Sequence, residues 1–479
     1  MFNLILALQL FASAGGGGSS SGGGADNAMV LAGWAPIHVI GAAFRRSYAK
    51  HKDEDKFRVG QVVTWIAAAV YAIFWLIIGV VMTFGADGGI LFFFFGLEPA
   101  VGAFLGAGAG LYNWFGKIKQ NKATKAALDA AAQRDAQWNE DYLKTGAQNI
   151  FMKFQTDWSN FDLNAARAYL TPRYAEHISL MLLALQQMHR RNITTVKTFN
   201  DTQIVAVQDT ADNSGDMFVA GMDAAAEDML LDTSTNPATQ LFVSNDNIAE
   251  FWRFARDGQS WRLDGIQPAT AEQWTRNPAL EDFAAKNGLY YSLDWGRLLL
   301  PQRGQLFGGG TFKTADINNH CIGWTATVYD KILTQIYTYS VNPAAYANTY
   351  LIAQATLPRS YGDIVVRRRT GLFQFKIKDL KEVATEWGDF NKMYQVFATS
   401  PEQATSFELL NPKYMEQLAA VPFEINIEVV DNVVYIYAPL AGFTKGLKPA
   451  DARYQTTDLA GKYQMVLWAL QAAFKEMKM

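Results

Sequence analysis

The stretch Glu250-Phe-Trp-Arg-Phe-Ala-Arg-Asp-Gly-Gln-Ser-Trp-Arg-Leu-Asp-Gly-Ile266 decides the fold. Ile248 to Arg256 and Trp261 to Ile266 read as strands, and Asp257-Gly258 between them accepts the positive φ of a tight turn, so the run predicts an antiparallel hairpin. Upstream, Asn192 to Gln208 is rich in β-branched residues and alternates, and Met217 to Met222 is a further short strand. Before Arg191 the period changes. Ala147, Ile150, Phe151 and Phe154 begin a helical apolar face that continues through Trp158. Leu163 to Leu170 follows, and Thr171-Pro172 marks a break and a new helix start. From Ala175 to Arg190 the pattern is again helical, with Met181, Leu182, Leu185 and Met188 inward. Helices followed by an antiparallel sheet predict an α+β unit with the helices on one sheet face.

The whole chain has 479 residues, enough for two or three domains. Half of it is apolar, yet the mean hydropathy is only -0.04, so the apolar residues are unevenly spread. That excludes a disordered chain and a polytopic transporter alike. Lys+Arg number 42 against 45 Asp+Glu, which excludes a nucleic-acid binder relying on a basic surplus. The one cysteine, Cys321, excludes an intramolecular disulfide and any cysteine-based zinc cluster. No catalytic residue, metal or cofactor is expected.

The apolar residues concentrate near the N-terminus. Residues 1–14 are signal-like, an apolar core closed by Ala12-Ser13-Ala14, to be either cleaved or kept as an anchor. Residues 15–27 are a Gly/Ser-rich tether, and 28–60 hold a short apolar segment and a basic loop. Residues 61–116 predict a transmembrane helical hairpin. Val62 to Phe84 carries no charge, and Ile90 to Phe115 is apolar except for Glu98, which with Pro99 predicts a break or an interfacial position. Arg45 and Arg46 precede the hairpin, and Lys117, Lys119, Lys122 and Lys125 follow it. This places both ends at the inner face of a cell membrane, in contact with anionic headgroups. Gly102, Gly106 and Gly110 recur every fourth residue, a spacing for helix packing, either within the hairpin or in a homo-oligomer. Residues 117 to about 150 read as one long helix leaving the membrane.

From Trp138 to Gln267 the pattern resembles the C-terminal domain of the mitochondrial inner-membrane import translocase subunit forty-four family, which has many bacterial members (Tim-forty-four-like). The resemblance is carried by Ile150 to Trp158, Leu170-Thr-Pro-Arg-Tyr174 and, above all, the hairpin quoted first. It implies a cystatin- or NTF-two-like α+β cone over 117–270, a bent sheet around an apolar pocket. It also implies a role as a membrane tether that contacts anionic lipid and organises translocation partners. Phe154, Trp158, Trp252 and Trp261 are candidates to line that pocket, with a sheet-to-helix core as the competing reading. Asp157, Tyr174 and His177 are available for acid-base work, but His177 beside Glu176 reads as a surface residue.

Residues 279–479 predict a second α+β domain. A helix from Leu280 stops at Gly288, Asn319 to Tyr329 and Ile332 to Tyr339 alternate as paired strands, and Asn411-Pro412 caps a helix. Ile425 to Tyr437 is a hairpin around Asp431-Asn432, and Lys462 to Lys478 is an amphipathic helix. Gly371 to Ile377 is a further strand, and Ser400 to Leu410 a helix. Phe390-Asn391, Phe397 to Ala404 and Leu410 to Met415 resemble a bacterial membrane-protein domain of unknown function. Arg367-Arg-Arg369 reads as a solvated basic loop or a phosphate contact. The expected function is that of a non-enzymatic, membrane-anchored binding or scaffold protein for lipid, a protein partner or a translocation component. The alternative is an envelope receptor or enzyme using the cone pocket.

Overall fold

The chain divides into two units, Met1–Gln133 and Arg134–Met479. The computed structural model describes residues 32–41, 54–85, 91–245, 247–268, 277–294, 298–301, 303–307, 315–327, 330–340, 349–369, 377–400, 410–421, 423–440 and 458–477. The signal-like segment, the Gly/Ser tether, Arg45 and Arg46 lie outside these residues. So do most of the strand expected from Gly371 and of the helix expected from Ser400, and the side chains of Lys117 and Lys119.

The first unit contains helix α1 over residues 32–41, α2 (Glu54–Gly85) and α3 (Leu91–Arg134). Of the two readings of Glu98-Pro99, a break or an interfacial position, the break does not occur, and Pro99 lies inside α3. A proline there removes one N–H from the ladder, and the rest of a 44-residue helix carries that local loss. Helices α2 and α3 run antiparallel, with Trp65 meeting Phe104 at a ring separation of 6.0 Å. Further along, Gly96 lies against the backbone of Trp75 and Gly79, where an added Cβ would sit 2.9 Å from the Gly79 Cα. A seam of Ala68, Ala72, Ala100, Ala103 and Ala107 fills the contact, together with Ile37 of α1. Small side chains allow this close backbone approach without a large apolar core.

The expected long helix from 117 to about 150 is interrupted after Arg134, and α4 (Glu140–Ser159) starts afresh. Asp135 caps the short turn Ala136–Trp138 by accepting from the Gln137 N–H, and Asn139 caps α4 by accepting from the Tyr142 N–H. Both side chains compete with helical backbone for hydrogen bonds, which ends one helix and begins another. Asp135 is also held at 2.6 Å by Arg256, whose guanidinium reaches Asp216 at 3.1 Å. Thr210 donates to Asp216 from both its N–H and its hydroxyl, and Arg134 pairs with Asp209.

Helices α4, α5 (Leu163–Ala166) and α6 (Pro172–Gln187) precede a five-stranded antiparallel sheet. Its strands are β1 (Arg190–Gln208), β2 (Met217–Asp232), β3 (Thr239–Ser244), β4 (Asn247–Asp257) and β5 (Ser260–Pro268). The expected hairpin is present, with Asp257 opposite Ser260 and Gly258 at φ +61. Strand β2 runs ten residues past its expected end at Met222, because Asp223 to Asp232 pairs with β1 throughout, with β4 over Asp223–Ala225 and with β3 from Asp228 onward.

The second sheet has nine strands, β6 (Leu289–Asp294), β7 (Asp316–Ala326), β8 (Lys331–Ser340), β9 (Thr349–Thr356), β10 (Ile364–Arg368), β11 (Lys381–Val383), β12 (Tyr394–Ala398), β13 (Asn426–Val430) and β14 (Val433–Pro439). They lie in the order β11-β12-β10-β13-β14-β9-β8-β7-β6. Because side chains alternate, the register gives the sheet two chemically different faces. One row reads Ile336, Ala353, Ile436, Ile427, Val366, Val396 across neighbouring strands. It packs under α7 (Pro278–Lys286), α9 (Pro412–Ala420) and α10 (Leu459–Glu476), while the short α8 (Gly388–Met393) adds Phe390. The next row reads Gln335, Gln354, Tyr435, Glu428, Val365, Phe397. The expected caps, the Asp431-Asn432 hairpin and the terminal amphipathic helix are all present.

Arg367 to Arg369 do not form a basic loop. Arg367 and Arg368 belong to β10, where Arg368 donates to the Val421 and Phe423 carbonyls at 2.8 and 2.5 Å. Arg369 pairs with Glu382 at 2.8 Å. The sheet itself uses these charges.

Candidate binding sites

Large aromatic side chains fill the space between α4 and the first sheet. Trp252 is fully buried and meets Phe151 at 5.1 Å and Phe154 at 5.4 Å, and Phe154 meets Trp158 at 6.0 Å. Trp261 packs edge-on to Trp138 at 4.7 Å and to Phe218 at 5.0 Å. The polar ends are also occupied. Trp158 Nε1 donates to Asn192 at 2.8 Å, Trp252 Nε1 to Glu250 at 2.8 Å, and Trp261 Nε1 to the Gln137 carbonyl at 3.3 Å. Of the four candidate pocket residues, Phe154, Trp158 and Trp252 therefore come together, while Trp261 packs in a separate cluster with Trp138 and Phe218, and none of the four borders either of the clefts described next.

A small polar cleft of about 70 Å³ lies between α6, the end of β5, α7 and β6. Arg173, His177, Arg253, Asp264 and Glu281 converge there. His177 is 5% exposed, which overturns its reading as a surface residue. Its position explains this, since it stands on the same helical stripe as Tyr174, Ile178 and Met181 and turns inward toward β6. Its Nε2 meets Ser292 Oγ at 3.0 Å, and its ring stacks on Tyr290 at 5.6 Å. Burial pulls its pKa down to about 3, so the imidazole stays neutral. Asp264 is paired with Arg253 at 2.8 Å and accepts from Thr171 at 2.8 Å. The cleft has room for a few waters or a very small ligand.

Residues 298–301 and 303–307 lie against the polar face of the second sheet. Arg190, at the start of β1, donates to the Leu298 and Leu300 carbonyls at 2.8 and 2.5 Å. Glu428 accepts from the backbone N–H groups of Gln305 and of Leu306, the latter at 3.0 Å. Phe307 packs edge-on against Tyr339 and Tyr435 at 5.0 Å each. Burial raises the Glu428 carboxyl to about 7, against the pull of the two N–H donors. Sequence reasoning passed over Glu428, although a carboxylate inside the apolar run Ile425 to Val430 is a signal of a partnered buried charge.

A second cleft, open and with a volume of about 980 Å³, lies at the ends of β7, β8 and β9 beside the start of α9 and the end of α10. Trp324, Leu333, Tyr361 and Met477 give it apolar walls, and Lys331 and Arg359 give it cations. Its size is that of an organic-ligand or peptide site.

Elsewhere, Lys122 and Lys125 are exposed on α3, and Lys125 pairs with Asp129 at 2.7 Å. Gly106 lies against α1, where an added Cβ would sit 2.8 Å from the Trp34 carbonyl oxygen, and Gly102 is buried in the same helix. Gly110 lies further along α3. Among the described residues, no cluster of His, Cys, Asp and Glu is arranged to hold a metal ion.

Helices packed beside a five-stranded antiparallel sheet define an α+β domain. Residues 124–268 match the Tim44-like domain, and this segment of the chain is a Tim44-like domain. No curated protein matches the chain. Among solved structures, the mycobacterial trehalose monomycolate transport factor A, TtfA, is 11% identical, with 42% of this chain and 94% of that one covered at a TM-score of 0.28. The intermembrane space region of the chloroplast protein ARC6 is 15% identical, with 26% of this chain and 92% of that one covered at a TM-score of 0.20.

Proposed function

We propose that this protein is a membrane-anchored binding or scaffold protein whose second unit works at the inner face of a cell membrane. The Tim44-like domain points to binding or scaffolding. The observation that carries the anchoring is helix α2, in which Val62–Phe84 is 23 residues long, free of charge and long enough to cross a bilayer. Its Val62, Ile66, Val70, Ile73, Ile77 and Phe84 side chains are exposed, an arrangement suited to hydrocarbon and costly in water. Helix α3 makes the return crossing in this reading. Lys117, Lys119, Lys122 and Lys125 then meet anionic headgroups, each contributing about 1 kcal/mol near the surface.

The test is extraction of native membranes with alkaline carbonate. The full-length protein should stay in the pellet and dissolve only in detergent, and release into the carbonate supernatant would overturn the anchor. Digestion of residues beyond Lys125 by protease added outside intact spheroplasts would overturn the orientation.

A second reading, a small-ligand receptor or enzyme, draws on the Ser292–His177 contact at 3.0 Å in the polar cleft. It is the weaker one. A base held near 3 keeps no proton near neutrality, and a general base works best with a pKa close to the operating pH.

A further inference from the structure

We propose that helix α1 lies inside the hydrocarbon of the bilayer, with its exposed Ala35, Pro36 and Val39 turned to acyl chains, as a third membrane element that reaches only half-way across. This placement rests on the anchored reading of α2 and α3 above and adds a lipid-facing surface to it.

The contacts of α1 set its depth. Gly33 lies against the backbone of Pro99, and the Trp34 carbonyl and Ile37 lie against Gly106, so α1 runs in the same direction as α3. Along α2 it runs the opposite way. The Tyr71 hydroxyl donates to the Ala32 carbonyl at 3.0 Å, and Gly41 faces Thr64, where an added Cβ would sit 3.7 Å from Cγ2. Both positions fall in the uncharged stretch Val62–Phe84. At 1.5 Å per residue, Thr64 lies about 3 Å and Tyr71 about 14 Å beyond Val62. In a hydrocarbon core about 30 Å thick, Gly41 is then near the inner edge and Ala32 near the middle.

The side chains and the backbone both suit that depth. Residues 32–41 contain no Asp, Glu, Lys or Arg. Gly33, Ile37 and Gly41 recur every fourth residue and are buried, Ile37 within the alanine seam of α2 and α3. Ala35, Pro36 and Val39 stand on the opposite side, with Val39 65% exposed. A helix lying at the water interface carries a charged or strongly polar face there, and α1 has none. His38 stacks on Trp34 at 4.3 Å, in the half of α1 nearer the inner edge. Pro36 has no N–H, so the Ala32 carbonyl four residues earlier loses its helical donor. Water would replace that donor at a wet surface, whereas in hydrocarbon a neighbouring helix must supply one. Tyr71 of α2 does so.

The experiment uses the full-length chain with one added cysteine, Val39→Cys or Ala35→Cys, labelled with bimane in detergent and returned to vesicles of phosphatidylethanolamine and phosphatidylglycerol. Ile73→Cys on α2 and Lys125→Cys on α3, both exposed positions, serve as the hydrocarbon and water references. The unmutated chain, whose Cys321 is buried, gives the blank. Phospholipid spin-labelled on its acyl chain should quench the probes on α1 to within about twofold of the Ile73→Cys probe, and aqueous iodide should quench them at least about fivefold less than the Lys125→Cys probe. Iodide quenching on α1 as strong as at Lys125→Cys would overturn the proposal in favour of a helix in water. Quenching by neither agent would also overturn it, because protein would then cover this face. A failed anchor gives a different result, iodide quenching at Ile73→Cys. With that reference quenched by the spin-labelled lipid and the α1 probes by iodide, the anchor stands and the placement of α1 falls.

Discussion

Replacing Arg256 with alanine should unfold the second unit more readily than any surface change, and the size follows from its partners. Its guanidinium stands 3.1 Å from Asp216 and 2.6 Å from Asp135, and its side chain is 4% exposed. The Asp216 side chain is fully buried. Removing the cation leaves that carboxylate with the two Thr210 donors and with Arg134, whose nearest nitrogen is 4.0 Å away. Breaking a buried pair costs about 3–5 kcal/mol, and the surviving donors place this one at the lower end, about 3 kcal/mol. Asp135 is partly solvated and adds at most about 1 kcal/mol, and the cation over the Trp261 ring at 5.9 Å adds a similar or smaller amount. The expected loss is therefore about 4 kcal/mol. Urea unfolding of the full-length protein in detergent, followed by tryptophan fluorescence, should show the midpoint fall with little change in slope. Adding Asp216→Asn to Arg256→Ala should recover part of the loss, because the stranded charge is gone. A loss under about 1 kcal/mol, or no recovery in the double variant, would refute the view that this buried charge drives the effect.

Glu428 gives the fold a pH dependence. Its folded pKa, about 7, lies above its unfolded value, so its contribution is fully present below about pH 4.5 and is lost as pH rises through about 7. The stability difference in urea between the protein and its Glu428→Gln variant should shrink by up to about 3 kcal/mol between pH 5 and pH 8.5, since Glu250, His177 and His320 titrate alike in both; a difference independent of pH would count against the assignment. At the other end of the chain, Gly96→Leu should drive α2 from α3, since even a methyl group would meet the backbone at Trp75 and Gly79. Disulfide yield between cysteines introduced as Trp65→Cys and Phe104→Cys, whose rings are now 6.0 Å apart, should drop severalfold, and an unchanged yield would refute the close approach.

Much of the architecture is legible in the residues because local chemistry and long-range packing agree there. Asp257-Gly258, Asn411-Pro412 and Asp431-Asn432 each fix a turn or cap that the structure contains. Asp223 to Asp232 is different. Its run of Ala, Glu, Met and Leu favours a helix, and pairing on both sides overrides that preference. The strands Thr349–Thr356 and Ile364–Arg368 escaped notice for a related reason. Both faces of the second sheet are covered, which erases the clean alternation that marks a half-exposed strand. The clefts were harder still. Trp324, Arg359 and Tyr361 come from β7 and from the segment after β9, and His177 meets Ser292 across 115 positions of chain. No spacing rule links such residues. The register of the sheet brings them together.

The seam at His177 and Arg190 also sets where this protein can be cut. The Tim44-like match ends at residue 268, yet His177 bonds to Ser292 and Arg190 holds the Leu298 and Leu300 carbonyls. A fragment trimmed to the matched region would bring a buried imidazole and a buried guanidinium into water while leaving Tyr174 stripped of cover. Such a piece is a poor reagent for reconstitution, and the shortest faithful excision keeps everything from Arg134 onward.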